Sequence, residues 1–150
     1  MAQSLSAVYI HIIFSTKNRE PVLHDTLSPR LWEYLGGICS GLQCKPIQIG
    51  GMPDHIHIFC MLSREVTLKE LVGKVKTESA VWLKKTFPEF EEFHWQNGYG
   101  VFSVNPTEYQ AVQNYILNQA VHHTKKDFRT ELCQFLKKYG IPYDDKYLWN

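Results

Sequence analysis

Residues 6–15 read S-A-V-Y-I-H-I-I-F-S, β-branched and aromatic almost throughout. Such a run fits a central strand, with Val8, Ile10, Ile12 and Phe14 on one face and Tyr9 and Ile13 on the other. Neither face of that strand tolerates water, so both must be covered, by the rest of the chain or by a second subunit. The 150 residues, 44% of them hydrophobic, supply a core for one domain spanning 1–150.

The remaining pattern says what does the covering. Residues 26–42 place Leu27, Leu31, Leu35, Ile38 and Leu42 at helical spacing, and Ser28-Pro29 suits a helix start. Short strands at 45–50 and 55–62 flank the turn residues Gly50-Gly51-Met52-Pro53 and should pair as a hairpin. Residues 67–86 form an amphipathic helix that opens on Thr67 and Glu70, a capping-box spacing. An aromatic strand at 93–104, broken by Asn97-Gly98 and Gly100, completes β-α-β-β-α-β. Asn105-Pro106 then opens a helix at about 107–123, and Asp127 opens a C-terminal helix and tail at about 127–150. The expected class is α+β: a ferredoxin-like (RRM-like) core at about 5–104 with an antiparallel sheet, plus two C-terminal helices. That topology serves RNA-binding modules, acylphosphatases and nucleases alike, so function must come from particular residues.

His55-Ile56-His57 starts a strand, where residues i and i+2 share a face. Two imidazoles on one rigid strand are a preorganised metal-ligand pair, or equally two satisfied histidines on a half-buried sheet. Tyr115 and Gln119 stand four apart on a helix and therefore on one face. A phenol becomes a useful nucleophile only beside a cation, and the amide oxygen of Gln119 offers a further ligand; both residues also suit a core. Sixteen Lys+Arg against fifteen Asp+Glu exclude a broadly cationic coat for duplex DNA. Basic residues do cluster locally: Lys17 and Arg19 after the first strand, Lys74 and Lys76 on the second helix, and Lys125 and Lys126 with His122 and His123. Trp82, Trp95, Tyr99 and Phe102 interleave with them, as stacking platforms for single strands or as plain core aromatics. No apolar run reaches the ~20 residues of a membrane span, no signal peptide is visible, and the four cysteines lack metal spacing. A cytoplasmic protein with reduced thiols is expected.

Together these stretches resemble the small single-strand transposases of the HUH class with one catalytic tyrosine, meaning the IS200-like insertion-sequence transposases and their REP-associated relatives. The resemblance rests on Val8-Tyr9-Ile10-His11-Ile12-Ile13-Phe14-Ser15-Thr16-Lys17-Asn18-Arg19 and on Gly51-Met52-Pro53-Asp54-His55-Ile56-His57. It continues through Trp95 to Val104, Tyr115 and Gln119 with His122-His123, and Tyr147-Leu148-Trp149. It implies His55, His57 and Gln119 as ligands of Mg2+ or Mn2+, and Tyr115 as the nucleophile that forms a 5′-phosphotyrosine link. It implies single-stranded DNA with a hairpin as substrate, a homodimer as assembly, and no nucleotide cofactor, because the phosphotyrosine conserves the bond energy.

A two-fold dimer through the sheet is also expected on physical grounds: two core helices cover one face, and the Tyr115 helix must stay accessible to DNA. The alternative function is a non-catalytic single-stranded DNA or RNA-binding module on the same fold. A small zinc hydrolase is disfavoured, since no acidic residue accompanies the histidines as an obvious base and Asp54 is expected on the opposite strand face.

Overall fold

The structure is a computed structural model that describes residues 2–119 and 127–149. Its elements run β1 (Tyr9–Ser15), α1 (Ser28–Gly41), β2 (Pro46–Met52), β3 (His55–Met61), α2 (Leu68–Thr86), β4 (Gly100–Val104), α3 (Tyr109–Leu117), α4 (Phe128–Lys138) and the short α5 (Asp145–Leu148). The sheet order is β2-β3-β1-β4, with every neighbouring pair antiparallel. This is the expected β-α-β-β-α-β core.

β1 lies inside the sheet and is buried from Ile10 onward. One face of the sheet, with Ile10, Ile12 and Phe14 of β1 and Ile56, Ile58 and Cys60 of β3, packs against α1 and α2. Those helices contribute Leu31, Leu35 and Ile38, and Leu71, Val72, Val75 and Leu83. Each such side chain gains about 1.5–3 kcal/mol on full burial, which fixes the two-layer arrangement. Thr67 caps α2 as expected, its Oγ1 accepting the Glu70 N–H at 3.1 Å. Asp127 caps α4 in the same way, accepting the Thr130 N–H at 2.9 Å.

The opposite face is covered by the chain's own C-terminal helices. Ile13 and Phe102 meet Phe128, Leu132 and Leu136 of α4, while Phe59 and Val104 meet Ile116 of α3. The apolar face that called for a partner subunit is therefore already filled, and the physical argument for a dimer through the sheet falls away. Tyr115 stays half-buried rather than open, because α4 closes over it.

Two expectations change for local reasons. Trp95 is not part of a continuous last strand: it bridges Thr16 alone, sets its ring edge-on to Phe14 at 5.0 Å, and donates from Nε1 to Ser79 at 3.0 Å. Trp95 and Phe102 are thus core residues and cannot stack bases. α3 stops at Leu117, where Asn118 leaves helical geometry (φ −102°, ψ 26°), so Tyr115 and Gln119 do not share one continuous helix. The basic cluster with Lys125 and Lys126 falls outside the described residues. Among the described residues, no helix is long and apolar enough to cross a membrane.

Two glycines let the site-bearing elements approach. A Cβ on Gly50 would sit 3.0 Å from Ile116 Cγ2 and 3.2 Å from its carbonyl oxygen, so α3 rests directly on β2. A Cβ on Gly51 would lie 2.3 Å from the His55 carbonyl oxygen, inside the hairpin that presents the histidines. Gly51→Ala should cost about 1–3 kcal/mol through overpacking against backbone that cannot yield. Urea denaturation checks this, with Gly37→Ala as the control, since a Cβ there meets nothing within 4 Å.

Candidate active site

The β2–β3 hairpin turns through Pro53 and Asp54 and puts His55 and His57 at the start of β3, both fully buried on the α3–α4 face. Their period-2 placement is as expected. What they face was not: Glu131, from the middle of α4, lies 74 positions from His57. His57 Nε2 donates to Glu131 Oε1 at 3.0 Å, and His55 Nε2 approaches the same oxygen at 3.3 Å. Tyr115 Oη donates to the other oxygen, Oε2. Gln119, also buried, donates from Nε2 to Glu131 Oε2 at 3.3 Å, and its Oε1 lies 3.1 Å from His55 Nε2. One carboxylate thus joins all four residues named from the sequence.

Two corrections follow. An acidic residue does accompany the histidine pair, supplied by a distant helix. Asp54 does not point away either. It stands in the turn before the strand, where alternation does not yet hold, and its Oδ1 accepts from His55 Nδ1 at 2.7 Å. The sequence did carry a signal for Glu131: it interrupts the apolar stripe Phe128, Leu132 and Leu136 of α4, so a carboxylate faces the core and needs partners there. Likewise His11 interrupts the apolar face of β1 formed by Tyr9 and Ile13.

The electrostatics follow from burial. Burial alone would push His55 down, but Asp54 on one nitrogen and Glu131 on the other raise it to about 9. Burial would push Glu131 up, yet hydrogen bonds and charge from His55 and His57 hold it far below the carboxylate range. Tyr115 is raised well above an ordinary phenol, first by burial and then by Glu131. His11 is kept well below the usual imidazole value by burial and by His57, with Glu131 opposing.

The donor set suits a divalent cation. His55, His57 and Glu131 offer ligand atoms that all lie within 4.8 Å of one another. Both ring Nδ1 atoms are engaged behind the site, by Asp54 at 2.7 Å and His11 at 2.7 Å, leaving the Nε2 atoms directed inward. Orienting partners of this kind are typical of metal-binding histidines. Gln119 lies alongside as a neutral oxygen donor.

The basic residues divide. Lys17 and Arg19 follow β1 at the end where Ser15 pairs with His55, in a turn with Asn18 and Arg19 at φ 57° and 55°. Lys74 is exposed on the far layer, lining a groove of about 600 Å³ between α1 and α2. Lys76 is committed elsewhere. Its ammonium donates to the carbonyls of Gln96, Asn97 and Gly98 at 2.7, 3.2 and 2.7 Å, and burial lowers it to about 8.

A sequence profile of the family described as IS200-like transposases matches residues 4–119. The ISDra2 transposase TnpA of Deinococcus radiodurans is 25% identical over 114 residues, covering 73% of this chain and 81% of that protein. A solved candidate transposase from the same organism superposes with a TM-score of 0.63 at 24% identity, covering 79% of this chain and 98% of the other. A REP-associated tyrosine transposase bound to a REP hairpin gives 0.61 at 13% identity, covering 82% and 72%. The two solved structures share the fold.

The His55 shift makes a pH prediction for the metal-free protein. Unfolded His55 releases its proton near 6.5 and folded His55 holds it to about 9, so its stabilisation is complete below 6.5 and is lost as pH rises through 9. Urea denaturation in chelator should show wild type losing stability relative to His55→Gln across that window. A pH-independent difference would contradict the ion pair with Glu131 and Asp54.

Proposed function

Because this chain belongs to the IS200-like transposase family and is accordingly a transposase, we propose that it cleaves and rejoins single-stranded DNA through a 5′-phosphotyrosine link to Tyr115. The observation that carries this reading is the shared carboxylate: Glu131 spans the His55–His57 pair with one oxygen and holds the Tyr115 hydroxyl with the other. A tyrosine oxygen and a buried ligand set therefore meet within one chain, with the His57 and Tyr115 rings 5.8 Å apart.

His55, His57 and Gln119 would hold the cation as the resemblance implies, with Glu131 as a further ligand. Bound there, Mg2+ or Mn2+ supplies Lewis acidity and charge stabilisation at the scissile phosphate, and the imidazole pair favours Mn2+. The protein's own groups do the rest. The Tyr115 oxygen attacks phosphorus in line, its bond to phosphorus forms, and the bond to the 3′-oxygen breaks. The phenolic proton passes along the existing hydrogen bond to Glu131 and on to the departing 3′-oxygen, which leaves as a hydroxyl. A second 3′-hydroxyl reverses these steps and rejoins the DNA, so no nucleotide is consumed. Burial and the neighbouring Glu131 carboxylate keep the Tyr115 phenol protonated in the metal-free site.

The substrate is single-stranded because tyrosine and ligands must reach a sugar–phosphate from two sides. A DNA hairpin is the expected mark, by analogy with the REP-associated relative. Lys17 and Arg19, with Lys125 and Lys126, are the proposed phosphate contacts. Lys76 is withdrawn from that role by its three carbonyl partners, and Lys74 by its place on the far layer. The homodimer rests on the family resemblance alone. A cytoplasmic site of action accords with work on DNA.

Incubation with hairpin-bearing single-stranded oligonucleotides and Mg2+ or Mn2+ should give an SDS-resistant adduct that chelator prevents. Tyr115→Phe should abolish it and keep the fold, since only one hydroxyl is lost. Tyr109→Phe should leave it intact, because that ring packs against Tyr9 and Phe59. An adduct that survives Tyr115→Phe would overturn the assignment. His55→Ala or His57→Ala should end cleavage while sparing hairpin binding, which rests on contacts elsewhere. Gln119→Ala should be milder, as water can replace an amide ligand.

A further inference from the structure

One buried polar residue in the sheet is unused by this scheme. His11, in the middle of β1, is 2% exposed and surrounded by Tyr9, Ile13 and the edge of Phe135, with ring centroids 5.3 Å apart. The strand register places it diagonally across from His57, which pairs with Ile13. Its Nε2 lies 2.7 Å from His57 Nδ1, and the two rings stack at 5.0 Å and 30°. An imidazole buried in an apolar sheet costs stability unless its polar atoms find partners, and this partner is a candidate ligand.

We propose that His11 is a positioning residue for His57: it grips Nδ1 so that Nε2 stays directed at the ligand cluster. A neutral imidazole offers one acceptor nitrogen, and His11 Nε2 accepts the His57 Nδ1 proton both when a charged His57 donates from Nε2 to Glu131 and when Nε2 serves as a ligand. Asp54 does the corresponding task for His55 with a carboxylate. The two histidines are therefore steered by different means: His55 by a charged partner in a turn, His57 by a neutral one inside the sheet. His11 touches neither DNA nor cation. It acts through His57.

This inference rests on the metal-site reading, and the test separates the two. Mn2+ binding is measured by calorimetry on full-length wild type, His11→Phe, His11→Gln and the His55→Ala/His57→Ala double variant, each first checked for folding. His11→Phe keeps a flat ring but cannot hold Nδ1, so it should weaken Mn2+ binding about 10- to 100-fold, the usual cost of losing such a partner. His11→Gln, whose amide can donate or accept, should recover much of that loss. Cleavage should lose kcat in His11→Phe while KM for the hairpin oligonucleotide stays constant. Long-range proton–nitrogen spectra of metal-free protein should show the His57 Nδ1 resonance moved in His11→Phe, where its hydrogen bond is gone.

If His11→Phe binds Mn2+ like wild type while the double variant does not, His11 is only packing and the proposal is overturned, with the metal site intact. If the double variant also binds like wild type, the metal reading itself fails. Should His11→Phe not fold, His11→Gln decides. Near-wild-type affinity together with the wild-type His57 Nδ1 resonance in that variant supports the role; near-wild-type affinity with that resonance moved, or a loss as large as in the double variant, overturns it.

Discussion

A carboxylate with almost no exposed surface is the constraint on which the C-terminal half depends. Glu131 is 1% exposed and sits against a sheet face whose apolar part includes Ile13, Phe59 and Phe102. An ion in such surroundings persists only when every lone pair is engaged and opposite charge is close. His55 and His57 engage one oxygen and Tyr115 and Gln119 the other. Those contacts fix where α4 crosses the sheet. The apolar residues Phe128, Leu132 and Leu136 add adhesion but would tolerate a slide along the face; the carboxylate does not.

The sheet divides the molecule into a supporting layer and a chemical layer. α1 and α2 bury one face with aliphatic side chains, which makes β1 and β3 rigid. The other face carries the polar cluster, ordered from turn to strand: Asp54 behind His55, His11 behind His57, and Glu131 in front of both. Glycines 50 and 51 let the hairpin close and α3 descend onto it, which brings Tyr115 to the carboxylate. Backbone proximity is thus traded for side-chain precision at the site.

The strands and helices were legible because each has a period. Alternation in β3 put His55 and His57 on one face, and Thr67 with Glu70 marked the start of α2. The failures have equally local causes. Whether Trp95 and Phe102 were stacking platforms or core aromatics stayed open because an irregular lead-in hides which way a ring points. The break after Leu117 was not legible because Asn118 is only mildly unfavourable to helix. The second sheet face seemed bare because counting helices does not say where they dock.

The sequence by itself determined the order of elements, the pairing of two histidines on a strand, and the resemblance that named Tyr115 and Gln119. These are properties of neighbours in the chain, governed by periods of two and 3.6 residues. Only the tertiary structure decided that Glu131 joins the histidines, that His11 stands behind one and Asp54 behind the other, and that α4 covers the face a partner was expected to fill. Glu131 and His57 are 74 positions apart, and His11 and His57 are 46. Contacts at that separation come from how the sheet is ordered and where a helix crosses it, and no local pattern encodes either.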